Sequence, residues 1–162
     1  MGNVLLLSPT PIAAIAASRG SGVANLLTRP PKEVWADVAV GSVANIDIDF
    51  GAVVPVDTVY LGYLYPPAAG ATWTITGGAA GYTDVTLSPA GALRAVDSAS
   101  RVPKRTHAFW HGASVNVRYL RLAVTQAAGS PALTAGIVLA GKAWQPQFNM
   151  EFSSRRRVID TG

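Results

Sequence analysis

Residues 114–125, Ser-Val-Asn-Val-Arg-Tyr-Leu-Arg-Leu-Ala-Val-Thr, alternate apolar and polar side chains over a length that predicts a half-buried β-strand. Val115, Val117, Tyr119 and Ala123 share one face, and Asn116, Arg118, Leu120, Leu122 and Val124 share the other. The apolar residues therefore move from one face to the other, and the strand is expected to change its buried side midway. Residues 45–51 alternate more cleanly, with Ile46, Ile48 and Phe50 on one face and Asn45, Asp47 and Asp49 on the other. Further strands are predicted at 57–65, 72–76, 83–87, 106–111 and 135–140, with a first strand over 1–7 and an apolar connector over 9–21.

The punctuation between these runs supports one fold class. Gly62 marks a bulge or a close backbone approach inside an apolar strand. Pro30 and Pro31 stop any helix or central strand that begins at Val23, and Trp35 beyond them is expected to anchor the core. The run from Gly136 to Pro146 reads as a closing core strand whose exit is fixed by packing of Trp144. Strands about ten residues apart with Gly, Pro, Asn and Asp between them predict an all-β sandwich or jelly roll. Residues 1–22 are assigned to an N-terminal strand and connector, 23–144 to the sandwich, and 145–162 to a C-terminal extension.

Composition narrows the function. The chain has 162 residues, 49% hydrophobic and 14% charged, enough for a single buried core. With no cysteine there is no disulfide, thiolate metal site or cysteine nucleophile. The net charge of +4 is scattered apart from Arg155-Arg156-Arg157 and the group Arg101, Lys104 and Arg105, so no basic stripe for nucleic acid is present. The N-terminal apolar run lacks a basic n-region and is interrupted by Pro9 and Pro11, which disfavours a signal peptide. A myristoylation motif fails at Leu6, and no run has the length of a membrane-spanning helix.

Candidate chemistry is sparse. His107 and His111 stand four apart but between Pro103 and Gly112, in a segment without helical pattern, so a zinc pair is not expected. Asp47 and Asp49 share a strand face; they read as a solvated polar stripe, with a calcium site as the sharper alternative. No Gly-x-Ser-x-Gly elbow occurs, and no catalytic residue, metal ligand or cofactor is assigned.

The order Asn25-Leu26-Leu27, Val34-Trp35, Ile48-Asp49-Phe50-Gly51, Val56-Asp57-Thr58-Val59-Tyr60-Leu61-Gly62, Ala71-Thr72-Trp73-Thr74-Ile75, Arg118-Tyr119-Leu120-Arg121-Leu122 and Gly136-Ile137-Val138-Leu139-Ala140-Gly141, with Pro146 and Asn149, resembles tailed-bacteriophage virion proteins. Those are tail-tip or baseplate components on a galactose-binding-like β-sandwich, related in architecture to discoidin domains. The resemblance implies a non-enzymatic structural subunit in the phage tail, in symmetric copies, with other tail proteins as partners and neither nucleic acid nor membrane among them. Assembly contacts are then expected at Leu5, Leu6, Ile12 and Ile15, which would leave apolar area exposed on a monomer, and at Arg155, Arg156 and Arg157.

The alternative is a carbohydrate-binding module for a host-surface glycan, since the implied fold commonly presents loops that hold a sugar. Tyr63, Tyr65, Trp73, Phe109, Trp110 and His111 supply aromatic candidates, most of them expected in the core or an interface. His107, Phe109, Trp110 and His111 form the predicted recognition loop. In Arg118-Tyr119-Leu120-Arg121-Leu122 the arginines are expected to snorkel or pair at the sheet surface while their neighbours pack.

Overall fold

The computed structural model of the protein describes residues 5–28, 33–38, 41–65, 70–93 and 106–145. Two long strands organise it, β4 (Val43–Leu64) and β7 (Thr106–Thr125), paired antiparallel along their length. The remaining strands are β1 (Leu6–Pro9), β2 (Ala14–Ala17), β3 (Trp35–Ala36), β5 (Thr72–Gly78), β6 (Val85–Ala92), β8 (Thr134–Ala135) and β9 (Ile137–Trp144). A short 3-10 helix covers Val23–Leu27. The strand and connector set apart as residues 1–22 contribute β1 and β2, which pair with β9 and β4, so the sheet takes in this segment from Leu6 onward.

The halves of the long pair have different neighbours. The first half of β4 lies between β2 and β7, and β5 and β6 extend that layer beyond β7. The second half lies between β9 and β7, with β1 beyond β9. Ile46, Ile48, Trp73, Ile75, Leu120 and Leu122 from the first half pack in one buried cluster with Val59, Leu61, Ala108, Val138 and Ala140 from the second. Two antiparallel layers closing on one core make a β-sandwich.

A bulge joins the layers. Asp49 pairs with Tyr119 and Val54 with Val117, so residues 50–53 of β4 face Arg118 alone. Gly51 takes φ +78°, the left-handed region open to glycine, and its N–H donates to Asp49 Oδ1 at 2.7 Å. The extra residues reverse which side of β7 is buried. Val117 faces the core before the bulge, and Leu120, Leu122 and Val124 face it afterwards. The expected midway change of face is present, and it carries Tyr119 to the outer face with Arg121.

Two irregularities explain why strands expected at 45–50 and 57–65 form one element, as do those at 106–111 and 115–125: the bulge over 50–53, and a register shift between Val56 and Thr58 opposite 112–114. Pairing resumes on the far side of each shift, Val54 with Val117 and Thr58 with His111, so neither strand ends there. The strand expected at 83–87 begins at Val85 because Asp84 closes the preceding turn, accepting N–H groups of Gly81 at 2.8 Å and Ala80 at 3.3 Å. It runs on through Pro89, tolerated because β6 lies at the edge of the sheet.

Trp35 is fully buried as expected, its indole N–H donating to the Arg19 carbonyl at 3.2 Å. Arg19 forks onto buried Asp37 at 2.7 and 2.8 Å, tying the N-terminal segment to β3. Gly62 lies in a third irregularity of β4, between Leu61 and Leu64, where its carbonyl accepts the N–H of Gly136 at 3.0 Å. Gly136 divides the strand expected over 135–140 into β8 and β9. Trp144 does not fix the exit of β9 by packing: it is 57% exposed, opposite exposed Leu6, because it stands past the rim of the core.

Candidate functional site

The segment expected as a recognition loop, residues 107–111, is strand. Alternation turns Ala108 into the core and packs Trp110 against it, leaving His107, Phe109 and His111 on the outer face. Trp110 is thus a packing residue and not part of an exposed platform. Among the described residues, 106–117 of β7 pair with β4 alone, so this stretch borders the layer and Phe109 remains 50% exposed.

Register places β4 side chains beside these three. Tyr60 stands opposite Phe109 on one side and Leu139 of β9 on the other; Thr58 stands opposite His111 and Gly141. The Tyr60 ring stacks on the His107 imidazole, centroids 5.6 Å apart and planes 29° apart. Tyr63, exposed and held at φ +56°, lies near Tyr60. Left-handed backbone at a non-glycine residue is costly and concentrates at functional sites. Burial first, then the neighbouring Tyr63, raise the Tyr60 phenol above its ordinary pKa, so it stays a neutral hydrogen-bond donor. An aromatic and imidazole strip thus crosses the outer face of this layer. It borders an open apolar groove of about 350 Å³ through Leu139, with Ile137, Leu27, Pro9 and Pro11 in its walls.

Beneath the strip lies a buried carboxylate. Asp57 is 7% exposed, and its Oδ1 accepts the Ala143 N–H at 2.7 Å and the Thr58 hydroxyl at 2.8 Å. Thr58 Oγ1 is also 2.9 Å from His111 Nδ1. Asp57, Thr58 and Tyr60 were missed from sequence because the strand expected at 57–65 read as a mostly apolar, buried one. Their signal was the spacing Thr58-Tyr60-Gly62, which matches the spacing of His107, Phe109 and His111 once the two strands are known to pair.

The other predicted residues go elsewhere. Asp47 and Asp49 lie on the outer face of the first layer, each engaged by an arginine: Arg121 at 2.6 and 2.7 Å, Arg118 at 3.0 and 3.2 Å. The arginines pair at the surface as expected, and each also lies over a tyrosine, Arg118 over Tyr119 at 4.9 Å and Arg121 over Tyr82 at 5.1 Å. With their oxygens so engaged, the two aspartates do not converge on a calcium site, and no cluster of three acidic or histidine residues suited to a metal occurs among the described residues. Among those residues, no helix is long and apolar enough to cross a membrane.

Trp73 is core, whereas Tyr63 and Tyr65 are exposed. Ile12 and Ile15 are partly buried and pack against the chain's own core; Leu5 is half-buried and Leu6 46% exposed. Arg155, Arg156 and Arg157 lie outside the described residues.

No protein-family model and no curated protein matches the chain. Solved structures do. The carbohydrate-binding module CBM32 of AlyQ, in complex with 4,5-unsaturated mannuronic acid, superposes with a TM-score of 0.59 at 18% identity, covering 83% of this chain and 98% of that one. Chitosan-binding module 1 of the chitosanase/glucanase from Paenibacillus sp. IK-5 gives 0.60 at 14% identity, covering 80% and 94%. Module 2 of the same enzyme, in complex with chitotriose, gives 0.59 at 13% identity, covering 80% and 95%. At these identities the likeness carries the fold, and the fold of this protein is the galactose-binding-like β-sandwich.

Proposed function

We propose that this protein is a non-catalytic carbohydrate-binding domain that seats a sugar on the strip formed by Tyr60, Tyr63, His107, Phe109 and His111. The observation that carries this reading is half-exposed Phe109, flanked on one sheet face by groups that form hydrogen bonds. An aromatic face packs against the C–H groups of a pyranose, and the neighbouring imidazoles and phenol reach its hydroxyls. The modules from AlyQ and from the Paenibacillus enzyme were captured with sugars, which favours this class of ligand on the shared fold. Fold alone does not grant function, so the strip is the part to test.

The test is calorimetric titration of the purified chain with galactose, chitotriose and unsaturated mannuronate oligosaccharides, beside Phe109→Ala. Saturable binding to at least one sugar, weakened at least tenfold in Phe109→Ala, is the expected result. No binding across the panel, or equal binding by the variant, overturns the assignment. The virion setting implied by the phage-protein resemblance is the less supported reading. The compared structures named above are sugar-binding modules, and β1 and β2, expected to reach neighbouring subunits, pair within their own chain.

A further inference from the structure

The site holds a directional hydrogen-bond chain running from the buried carboxylate of Asp57 to the surface imidazole of His111. We infer that this chain fixes His111 as its Nδ1–H tautomer, so that Nε2 stands on the outer face as an acceptor for a sugar hydroxyl beside the Phe109 ring. This deepens the carbohydrate reading and rests on it for the ligand class.

The argument is a count of protons. An ionised carboxylate only accepts, so the 2.8 Å contact between Thr58 Oγ1 and Asp57 Oδ1 requires the threonine proton to point at the aspartate. A hydroxyl has one proton. At the 2.9 Å contact with His111 Nδ1, Thr58 must therefore accept, and the proton between them belongs to the imidazole. The opposite arrangement would set lone pairs of two buried oxygens against each other 2.8 Å apart. Thr58 is fully buried and Asp57 nearly so, so water does not supply a substitute partner cheaply. The Ala143 N–H, delivered by β9 at 2.7 Å, holds the same carboxylate oxygen and prevents Asp57 from turning to another partner.

The consequence is selectivity by donor and acceptor sense. In a neutral imidazole with Nδ1 protonated, Nε2 carries a lone pair and no proton. It recognises an O–H donor, such as a ring hydroxyl, and gives no hydrogen bond to a carboxylate or sulfate at that position. Thr58 and Asp57 are positioning residues in this scheme; His111 is the contact.

The chain contains two histidines, so His107→Gln leaves one imidazole to observe. Long-range proton–nitrogen NMR on that variant without ligand should show His111 protonated at Nδ1 and bare at Nε2. Thr58→Val should give mixed tautomers, and Thr58→Ser should restore the single one. In an otherwise native background, affinity for the sugar bound by the wild type should fall roughly three- to tenfold in Thr58→Val, about the worth of one net hydrogen bond, and return in Thr58→Ser. A bare Nδ1 in the free protein overturns the inference whatever the protein binds, and full affinity in Thr58→Val overturns the recognition role of His111. The expected tautomer with no sugar bound by the wild type upholds the hydrogen-bond chain and overturns the carbohydrate reading.

Discussion

Arg118 grips Asp49 through a fork of 3.0 and 3.2 Å at the place where β4 and β7 lose register, so the ion pair spans the bulge that joins the two layers. The same carboxylate accepts the Gly51 N–H inside the bulge. One side chain thus holds both the partner strand and the left-handed turn of its own.

That arrangement has a pH consequence. Arg118 first, then the Gly51 N–H, hold the Asp49 carboxyl below its ordinary value. A group whose pKa is lower in the folded than in the unfolded chain contributes stability above the unfolded value, and that contribution is lost as pH falls through the folded one. Urea midpoints measured from neutral pH downward should therefore decline below about pH 4, near the ordinary aspartate pKa. The decline should be shallower in Asp49→Asn. Parallel curves for variant and wild type would show that the pair contributes nothing through titration.

Adjacent residues on β7 should separate recognition from packing. Phe109→Ala removes a half-exposed ring and should change stability by no more than about 1 kcal/mol while abolishing most sugar affinity. Trp110→Ala removes a ring packed against the core and should cost about 2–4 kcal/mol. Denaturation and titration on the two proteins would refute the assigned faces if the losses fell the other way round.

Gly62 is a test of the platform's shape. A Cβ there would overlap Tyr60 Cε1, so an alanine must push the phenol ring aside. The ring lies toward the surface and can move, which limits the stability cost to about 1–2 kcal/mol, but its stacking on His107 is lost. Gly62→Ala should keep the fold by circular dichroism, lose the Tyr60–His107 ring contacts in NOE spectra and bind sugar more weakly. Retained ring contacts would mean that Tyr60 does not depend on the space Gly62 leaves.

The core of the first layer should show the ordinary cost of truncation. Ile48 is fully buried between both layers, and Ile48→Ala should lose about 2–5 kcal/mol. Val53, 53% exposed in the bulge, should tolerate alanine within about 0.5 kcal/mol. Chemical denaturation of both variants would count against the sandwich core if they proved equally mild.

The β class, the inward set Ile46, Ile48 and Phe50, the anchoring role of Trp35, the change of face within 115–125 and the surface pairing of Arg118 and Arg121 were legible in the sequence. Each is written locally, as alternation at the two-residue period of a strand or as a polar side chain bound to leave the core. The continuity of β4 and β7 was not legible, because residues 50–53 read as a break, whereas pairing resumes beyond them, Val54 with Val117, and keeps them within one strand. Nor was the site. His107, Phe109 and His111 stood out as residue types, but Tyr60, Thr58 and Asp57 lie some fifty positions earlier and join them only through register. Trp110 was misassigned to the exposed group because composition shows an aromatic without showing which way its strand faces. The sequence by itself determined a sheet protein with these inward residues; which outward residues meet, and so what the surface can bind, was decided by tertiary pairing, since long-range register depends on every bulge between the paired segments.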